Sequence, residues 1–253
     1  MDPGRDRGGI PVGIRDPTLS IVIPVYNEGD NIAPTLQGLH EHVHVAPLEI
    51  LIVYDFEEDT TLPVVRRLQR DMPQVRLHKN DEGRGALNAL KAGFRGARAP
   101  HVLVMMADCA DDPRDIDRMH ELATGGADVV AGSRYMPRGG QHGGPLVKRT
   151  LSRAAGLSLH HVAGVGTHDP TNNFKVYSRR LLDAVRIESD AGFELALELT
   201  VKAHLAGMRI AEVPTVWRDR SAGESRFRTW QWMPHYLRWY LMAMRHRFRV
   251  AGR

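Results

Sequence analysis

A single cysteine, Cys109, stands among 253 residues, which excludes an intramolecular disulfide framework and suits a reducing compartment. No run approaches the ~20 consecutive apolar residues needed to span a bilayer as a helix. Residues 1–17, rich in Gly, Pro, Arg and Asp, carry no apolar stretch, so they read as a flexible leader and not as a secretory signal. Metal-finger spacing is missing too. Histidines are numerous, including His40, His42, His44, His160 and His161, but no Cys/His partner set accompanies them. Gly83-Arg84-Gly85 has no third glycine and does not follow the first strand, which disfavours a dinucleotide oxidoreductase.

Acidic charge is scarce at one end. From Arg218 to Arg253 nine arginines face only Asp219 and Glu224, a net +7 that leaves −3 for the remainder of a chain whose total is +4. A basic tail on a near-neutral body points to an anionic surface. No nucleic-acid recognition module accompanies it, so the expected surface is a membrane.

Short apolar runs alternate with helical patterns through the first half. Strands are expected over Leu19–Tyr26, Leu48–Tyr54, Val75–Lys79, His101–Ala107 and Asp128–Ala131. Helices are expected over Asn31–Val43, Leu62–Arg70, Gly85–Ala97 and Pro113–Thr124. Near-continuous apolar strands separated by helices imply a mostly parallel sheet covered on both faces, an α/β doubly wound fold. Further on, Leu146–His160 and Phe193–Ala206 have helical spacing, while Phe174–Tyr177 and Arg209–Val213 read as strands.

Three of the early strands end in carboxylates: Glu28 after the first, Asp55 to Asp59 after the second, and Asp108, Asp111 and Asp112 after the fourth. In a parallel sheet these reach one edge, where ligands of such folds bind. For Asp59 and Asp112 helix capping is the alternative. Clustered carboxylates repel unless a cation or polar ligand is shared among them, and a hard divalent ion bridging to a diphosphate fits.

With these residues in place, Ser20-Ile-Val-Ile-Pro-Val-Tyr-Asn-Glu28 resembles the opening strand of inverting family 2 glycosyltransferases, which have the GT-A fold. Gly132-Ser-Arg-Tyr135, Asp169-Pro-Thr-Asn-Asn-Phe-Lys175, Gly192-Phe-Glu194 and Glu212-Val-Pro214 followed by Arg220-Ser-Ala-Gly-Glu-Ser-Arg226 extend the likeness from about Thr18 to about Phe227. The chain is most similar to the dolichol-phosphate mannosyltransferase and polyprenyl-phosphate glycosyltransferase branch. The resemblance implies a nucleoside pocket at Pro24, Tyr26, Glu28 and Asp55, with Gly85 at a helix N-terminus on the nucleotide side and Asp108 at the metal and diphosphate. It implies a divalent cofactor, Mg2+ or Mn2+, a GDP- or UDP-sugar donor, and a lipid-phosphate acceptor at the cytosolic membrane face. Arg134, Arg220 and Arg226, with Ser225 and Lys175, are the candidates for gripping phosphates. For a hydroxyl acceptor, Asp169 is the first candidate base and Glu194 the second; for a phosphate acceptor Asp169 would position instead.

Departures from the family pattern concentrate at the metal. Met106 occupies the place of the first carboxylate of an Asp-x-Asp pair, while Asp111 and Asp112 are gained downstream. Either Asp111 replaces the missing ligand, or the donor's phosphates hold the metal, or the chain is a non-catalytic nucleotide-sugar-binding adaptor. Asn172 and Asn173 replace small residues on the acceptor side.

After Phe227, Trp230, Met233, Leu237, Tyr240, Leu241 and Met244 recur at helical spacing, with Arg238 and Arg245 off that stripe and Pro234 suited to a first turn. Residues 228–253 thus read as an interfacial amphipathic helix lying on a membrane, the alternative being a helix packed on the catalytic domain, residues 18–227.

Overall fold

The computed structural model describes residues 16–190, 192–219 and 229–251. Four strands rise in turn with helices between them: β1 (Leu19–Pro24), α1 (Ile32–His42), β2 (Leu48–Tyr54), α2 (Thr61–Leu68), β3 (Val75–Lys79), α3 (Ala86–Gly96) and β4 (His101–Val104). There follow α4 (Ile116–Thr124), β5 (Val129–Ser133), β6 (Gly140–His142), α5 (Leu146–Ser158), β7 (Lys175–Ser178), α6 (Arg179–Ala184), α7 (Leu195–Leu205), β8 (Ile210–Pro214), β9 (Val216–Arg218) and α8 (Thr229–Ala251). A π-helical turn, Leu159–Ala163, continues α5.

Seven strands form one sheet in the order β3-β2-β1-β4-β7-β5-β8. All pairs are parallel except those of β7, which runs antiparallel between β4 and β5. Period-two alternation sends Ile21, Ile23, Ile50 and Ile52 to one face, packed with Leu36, Leu39, Leu62 and Val65 from α1 and α2. Val22, Leu51 and Val53 point to the other, against Leu87, Leu90 and Phe94 of α3. Both faces are therefore covered, and the strands carry apolar residues at successive positions. β6 and β9 form a separate two-stranded ribbon. Its residues, Gly, Gln and His facing Val, Trp and Arg, carry no alternation that a sequence pattern could detect.

The C-terminal helix differs from expectation. Trp239 and Ala243 are buried in a third core with Leu159, Ala163, Val165, Leu197 and Val201, and Tyr240 and Met244 pack against it. Tyr240 Oη lies 3.0 Å from Ser158 Oγ. The expected apolar stripe is therefore split: Tyr240 and Met244 face the domain, while Leu237 and Leu241 remain exposed. Pro234 lies inside α8, not in its first turn. The Trp230 side chain lies outside the described residues. Among the described residues no helix is long and apolar enough to cross a membrane.

Candidate active site

β1 and β2 end side by side, with Pro24 opposite Val53, and the turns beyond them interlock. Asn27 adopts φ 53°, a left-handed conformation that asparagine tolerates. Its N–H donates to Asp59 Oδ2 at 3.0 Å, and its Oδ1 accepts from the Thr60 N–H at 3.2 Å. Asp59 Oδ1 also accepts from the Thr61 N–H at 2.8 Å, and the Glu28 N–H donates to Thr61 Oγ1 at 3.0 Å. Asp112 likewise accepts from the Arg114 N–H. Asp112 thus caps the helical turn that follows it, and Asp59 ties the turn after β1 to the start of α2.

The latch leaves the Tyr26 ring 46% exposed, edge-on to Phe56 at 5.6 Å, and the Arg84 guanidinium lies over Phe56 at 5.7 Å. Pro24, at the end of β1, is buried. Asp55 accepts from Asn80 Nδ2 at 2.7 Å and from the Gly85 N–H at 2.8 Å. Gly85 holds φ 109°, which residues with a Cβ rarely adopt, and this conformation opens α3 with its N–H on Asp55. Pro24, Tyr26, Glu28, Asp55 and Gly85 therefore share one corner. Asn80, which ties Asp55 to the Gly83 carbonyl, was not singled out in the sequence; its signal is an Asn directly after a strand.

β4 delivers the second group. Cys109 turns the chain with φ 54°, and Asp108 Oδ1 accepts from the Ala110 N–H at 3.2 Å. Asp111 is only 6% exposed, and its Oδ1 has no hydrogen-bond partner. Burial, followed by the neighbouring Asp108 carboxylate, pushes the Asp111 carboxyl up to about 7, against the opposing pull of Arg134. A cavity of about 270 Å³ opens at Asp111, walled also by Cys109, Asp112, Arg114 and Arg218. A buried carboxylate oxygen without a donor, beside a second carboxylate, suits a hard divalent cation. Asp108 and Asp111 fit the metal role.

Arg134 follows β5 and closes on Asp169. Its Nε reaches Oδ2 at 2.6 Å, its Nη2 reaches Oδ1 at 3.0 Å, and its backbone N–H adds a contact to Oδ2 at 3.1 Å. Thr171 Oγ1 donates to Asp169 Oδ1 at 3.2 Å. Burial alone would raise the Asp169 carboxyl, but the Arg134 charge and hydrogen bonds outweigh it and hold the group below its ordinary range. Wholly buried and four times hydrogen-bonded, Asp169 orients Arg134 in this fold.

Lys175, expected at a phosphate, lies elsewhere. Its side chain is fully buried, and Nζ donates to the main-chain carbonyls of Asp169 (3.1 Å) and Asn172. Burial lowers its pKa to about 7 despite the Asp169 carboxylate nearby. It braces the turn under the site and presents no surface charge to a phosphate. Asn172 Nδ2 donates to the Gly132 carbonyl at 2.9 Å. A Cβ on Gly132 would lie 2.5 Å from the Phe174 ring, which explains the glycine that opens the Gly-Ser-Arg-Tyr motif. Arg220, Ser225 and Arg226 lie outside the described residues.

Two further contributions escaped the sequence. Glu212 accepts from Thr167 Oγ1 and the His168 N–H, and Thr167 Oγ1 in turn accepts from the Asp169 N–H, so β8 anchors the Asp169 turn. Tyr236 of α8 is the other: burial, then the Glu194 carboxylate, raises its pKa, with Arg134 acting oppositely. Tyr236 thus lies within electrostatic reach of Glu194 and Arg134. Glu194, at the start of α7, brings a ligand atom within 4.8 Å of others on Asp190 and His235. His160 stacks on half-buried His168 at 3.8 Å, while His161, edge-on to both rings, is exposed.

Residues 20–186 match the family described as glycosyl transferase family 2. The chain belongs to that family. This family 2 glycosyltransferase is 30% identical over 213 residues to the polyprenol monophosphomannose synthase of Mycolicibacterium smegmatis, covering 81% of this chain and 79% of that one. It is 25% identical to the dolichol-phosphate mannosyltransferase of Pyrococcus furiosus over 83% of this chain, but spans only 59% of that longer protein. In fold it is similar to a mannosyltransferase from Pyrobaculum calidifontis solved with GDP-Man and Mn2+, with a TM-score of 0.62 and 20% identity over 89% of this chain and 63% of that one. It is also similar to the glucosyl-3-phosphoglycerate synthase of Mycobacterium tuberculosis solved with Mn2+, uridine diphosphate and glucosyl-3-phosphoglycerate, with a TM-score of 0.64 and 15% identity over 90% and 80% of the two chains. Those likenesses establish the GT-A fold, with β7 as its antiparallel member.

Proposed function

We propose that this glycosyltransferase moves a mannosyl or similar hexosyl unit from a GDP- or UDP-sugar to a polyprenyl phosphate at the cytosolic face of a membrane. The observation that carries the chemistry is the grouping of Asp108, Asp111 and Arg134 at the carboxyl edge of the sheet. The acceptor class is supported by the named activities of the two relatives. Exposed Leu237 and Leu241 on α8 and Leu146, Val147 and Leu151 on α5 support a lipid-facing side.

Asp108 and Asp111 would hold the divalent cation, Mg2+ or Mn2+, whose contribution is to neutralise charge on the departing diphosphate. Tyr26, Phe56 and Asp55 form the wall against which base and ribose bind. Arg134, fixed by Asp169, supplies an oriented positive charge to the phosphates, and Arg220, Ser225 and Arg226 are proposed to do the same. A phosphate monoester is largely ionised at neutral pH, with a second pKa of about 6. One of its oxygens bonds to the anomeric carbon while the bond from that carbon to the nucleoside diphosphate breaks in line. No proton needs removal, in keeping with the engaged lone pairs of Asp169. A hydroxyl acceptor would need a base, and the oxygens of Asp169 are already engaged by Arg134 and Thr171.

A panel of nucleotide sugars, assayed with polyprenyl phosphate and with hydroxyl acceptors in the presence and absence of Mn2+, tests the reading. Metal-dependent glycosyl phosphate product is expected. Nucleotide binding without turnover on any donor would establish the adaptor alternative instead.

A further inference from the structure

Beyond the acceptor site, α8 carries a groove of its own. Its volume is about 470 Å³, and its walls are Leu205 at the end of α7 with Arg238, Leu241, Met242, Arg245 and His246. Residues spaced three and four apart share a side of a helix, so Arg238, Met242 and Arg245 fall together and His246 lies beside them. Buried Trp239 and Ala243, with partly buried Tyr236 and Tyr240 beside them, face the domain, and Met242 packs against the same core from the groove side; Leu237 (48% exposed) and Leu241 (38%) occupy the third side. An exposed apolar strip therefore runs directly alongside a basic one.

The charges are placed unequally. Arg238 is held over the Trp239 ring at 4.6 Å and paired with Glu188, which Lys202 also contacts at 2.9 Å. Among the described residues neither Arg245 nor His246 has a carboxylate partner, and no carboxylate lines the groove. Two arginines and a histidine over an apolar floor, beside two exposed leucines, complement one kind of molecule: a phosphate headgroup continuous with hydrocarbon.

We propose that this groove binds the headgroup phosphate of an anionic phospholipid in the bilayer, separately from the acceptor, so that α8 docks in a fixed orientation. Arg245 and His246 hold the phosphate, Arg238 flanks it, and Leu237 and Leu241 enter the acyl boundary. This inference rests on the reading of the chain as an enzyme of the membrane surface.

The test is co-sedimentation of the full chain with acceptor-free vesicles, either pure phosphatidylcholine or phosphatidylcholine with 30 mol% phosphatidylglycerol, in about 0.15 M salt. The expected result is binding that favours the anionic vesicles, reduced about fivefold or more for Arg245→Gln with His246→Gln. Leu237→Ser with Leu241→Ser is expected to lower binding to both vesicle types. The Arg245/His246 variant is expected to keep wild-type thermal stability and wild-type transfer to acceptor in detergent micelles. Equal binding of that variant and wild type to anionic vesicles would overturn the groove while leaving the membrane reading intact. Failure of the wild type to bind either vesicle would overturn both. Loss of transfer with all donors, with vesicle preference preserved, would sink the proposed reaction and leave the groove standing.

Discussion

Arg134 grips Asp169 with two guanidinium nitrogens, at 2.6 and 3.0 Å, and the carboxylate beneath it is wholly buried. The Arg134 side chain is itself only 11% exposed. Asp169→Asn would strand the guanidinium, and removing one member of such a pair costs about 3–5 kcal/mol. A fall in melting temperature of roughly 10 °C is expected together with a loss of turnover. The sign with pH follows from the depressed carboxyl. Its stabilisation is present above the unfolded value of about 3.9 and is lost as pH falls through the lower folded value. Calorimetry from pH 7 to pH 3 should show that loss in wild type and not in the variant. Abolished turnover with unchanged melting would return Asp169 to the role of a base.

Lys175 makes a contrasting prediction. Its folded pKa of about 7 lies below the unfolded value of about 10.4, so the folded chain releases this proton first. The unfolded state binds more protons between those values, and the lysine's contribution to stability must rise with pH across that window. Lys175→Met should flatten that rise in urea titrations at pH 7 and pH 10. It should also leave two buried carbonyls without a donor, at about 1–3 kcal/mol. A raised donor KM with unaltered stability would restore Lys175 to the phosphates.

Lys175 also shows what a sequence conceals. The residue follows Phe174 at the start of a run that reads as a strand, and a charged residue there is naturally placed outward. β7 instead lies inside the sheet between β4 and β5, and neither the insertion nor its antiparallel direction is encoded in the local pattern. β1, β2 and β4 were legible because each buries both faces and so shows a near-continuous apolar run; β3, at the sheet edge, is only partly buried. Their carboxylates were legible for the same reason, since parallel strands end at one edge. The difference between Asp59 and Asp112, which accept from backbone N–H groups, and Asp111, whose buried Oδ1 has no partner, was not, because it depends on which oxygens find donors in the folded chain. In α8 apolar residues occupy two sides of the helix, and periodicity alone does not say which side meets the domain.

The orphaned oxygen of Asp111 predicts proton–metal competition. With its carboxyl near 7, the metal-free site is about half protonated at neutral pH, and cation binding must displace that proton. Mn2+ affinity measured by calorimetry should rise by up to about tenfold per pH unit below 7 and level off above it. Asp111→Asn should remove the pH dependence and weaken binding by on the order of 10–100-fold, the range seen for residues that merely support metal ligands. Retained Mn2+ affinity in that variant would mean the metal is held by Asp108 and the donor's phosphates alone.

Trp239 decides whether α8 is a detachable anchor or part of the catalytic body. The ring is 1% exposed, packed with Leu159, Leu197 and Val201, and has Lys202 and Arg238 over its faces at 5.0 and 4.6 Å. Truncating such a residue typically costs 3–5 kcal/mol. Tyr236, one turn earlier, senses both Glu194 and Arg134, so loosening the helix should also disturb the site. Trp239→Ala is therefore expected to lower both the melting temperature and kcat in detergent micelles, where membrane docking plays no part. If melting and micellar turnover both match wild type while only vesicle binding falls, α8 is an anchor whose contacts with the domain are incidental.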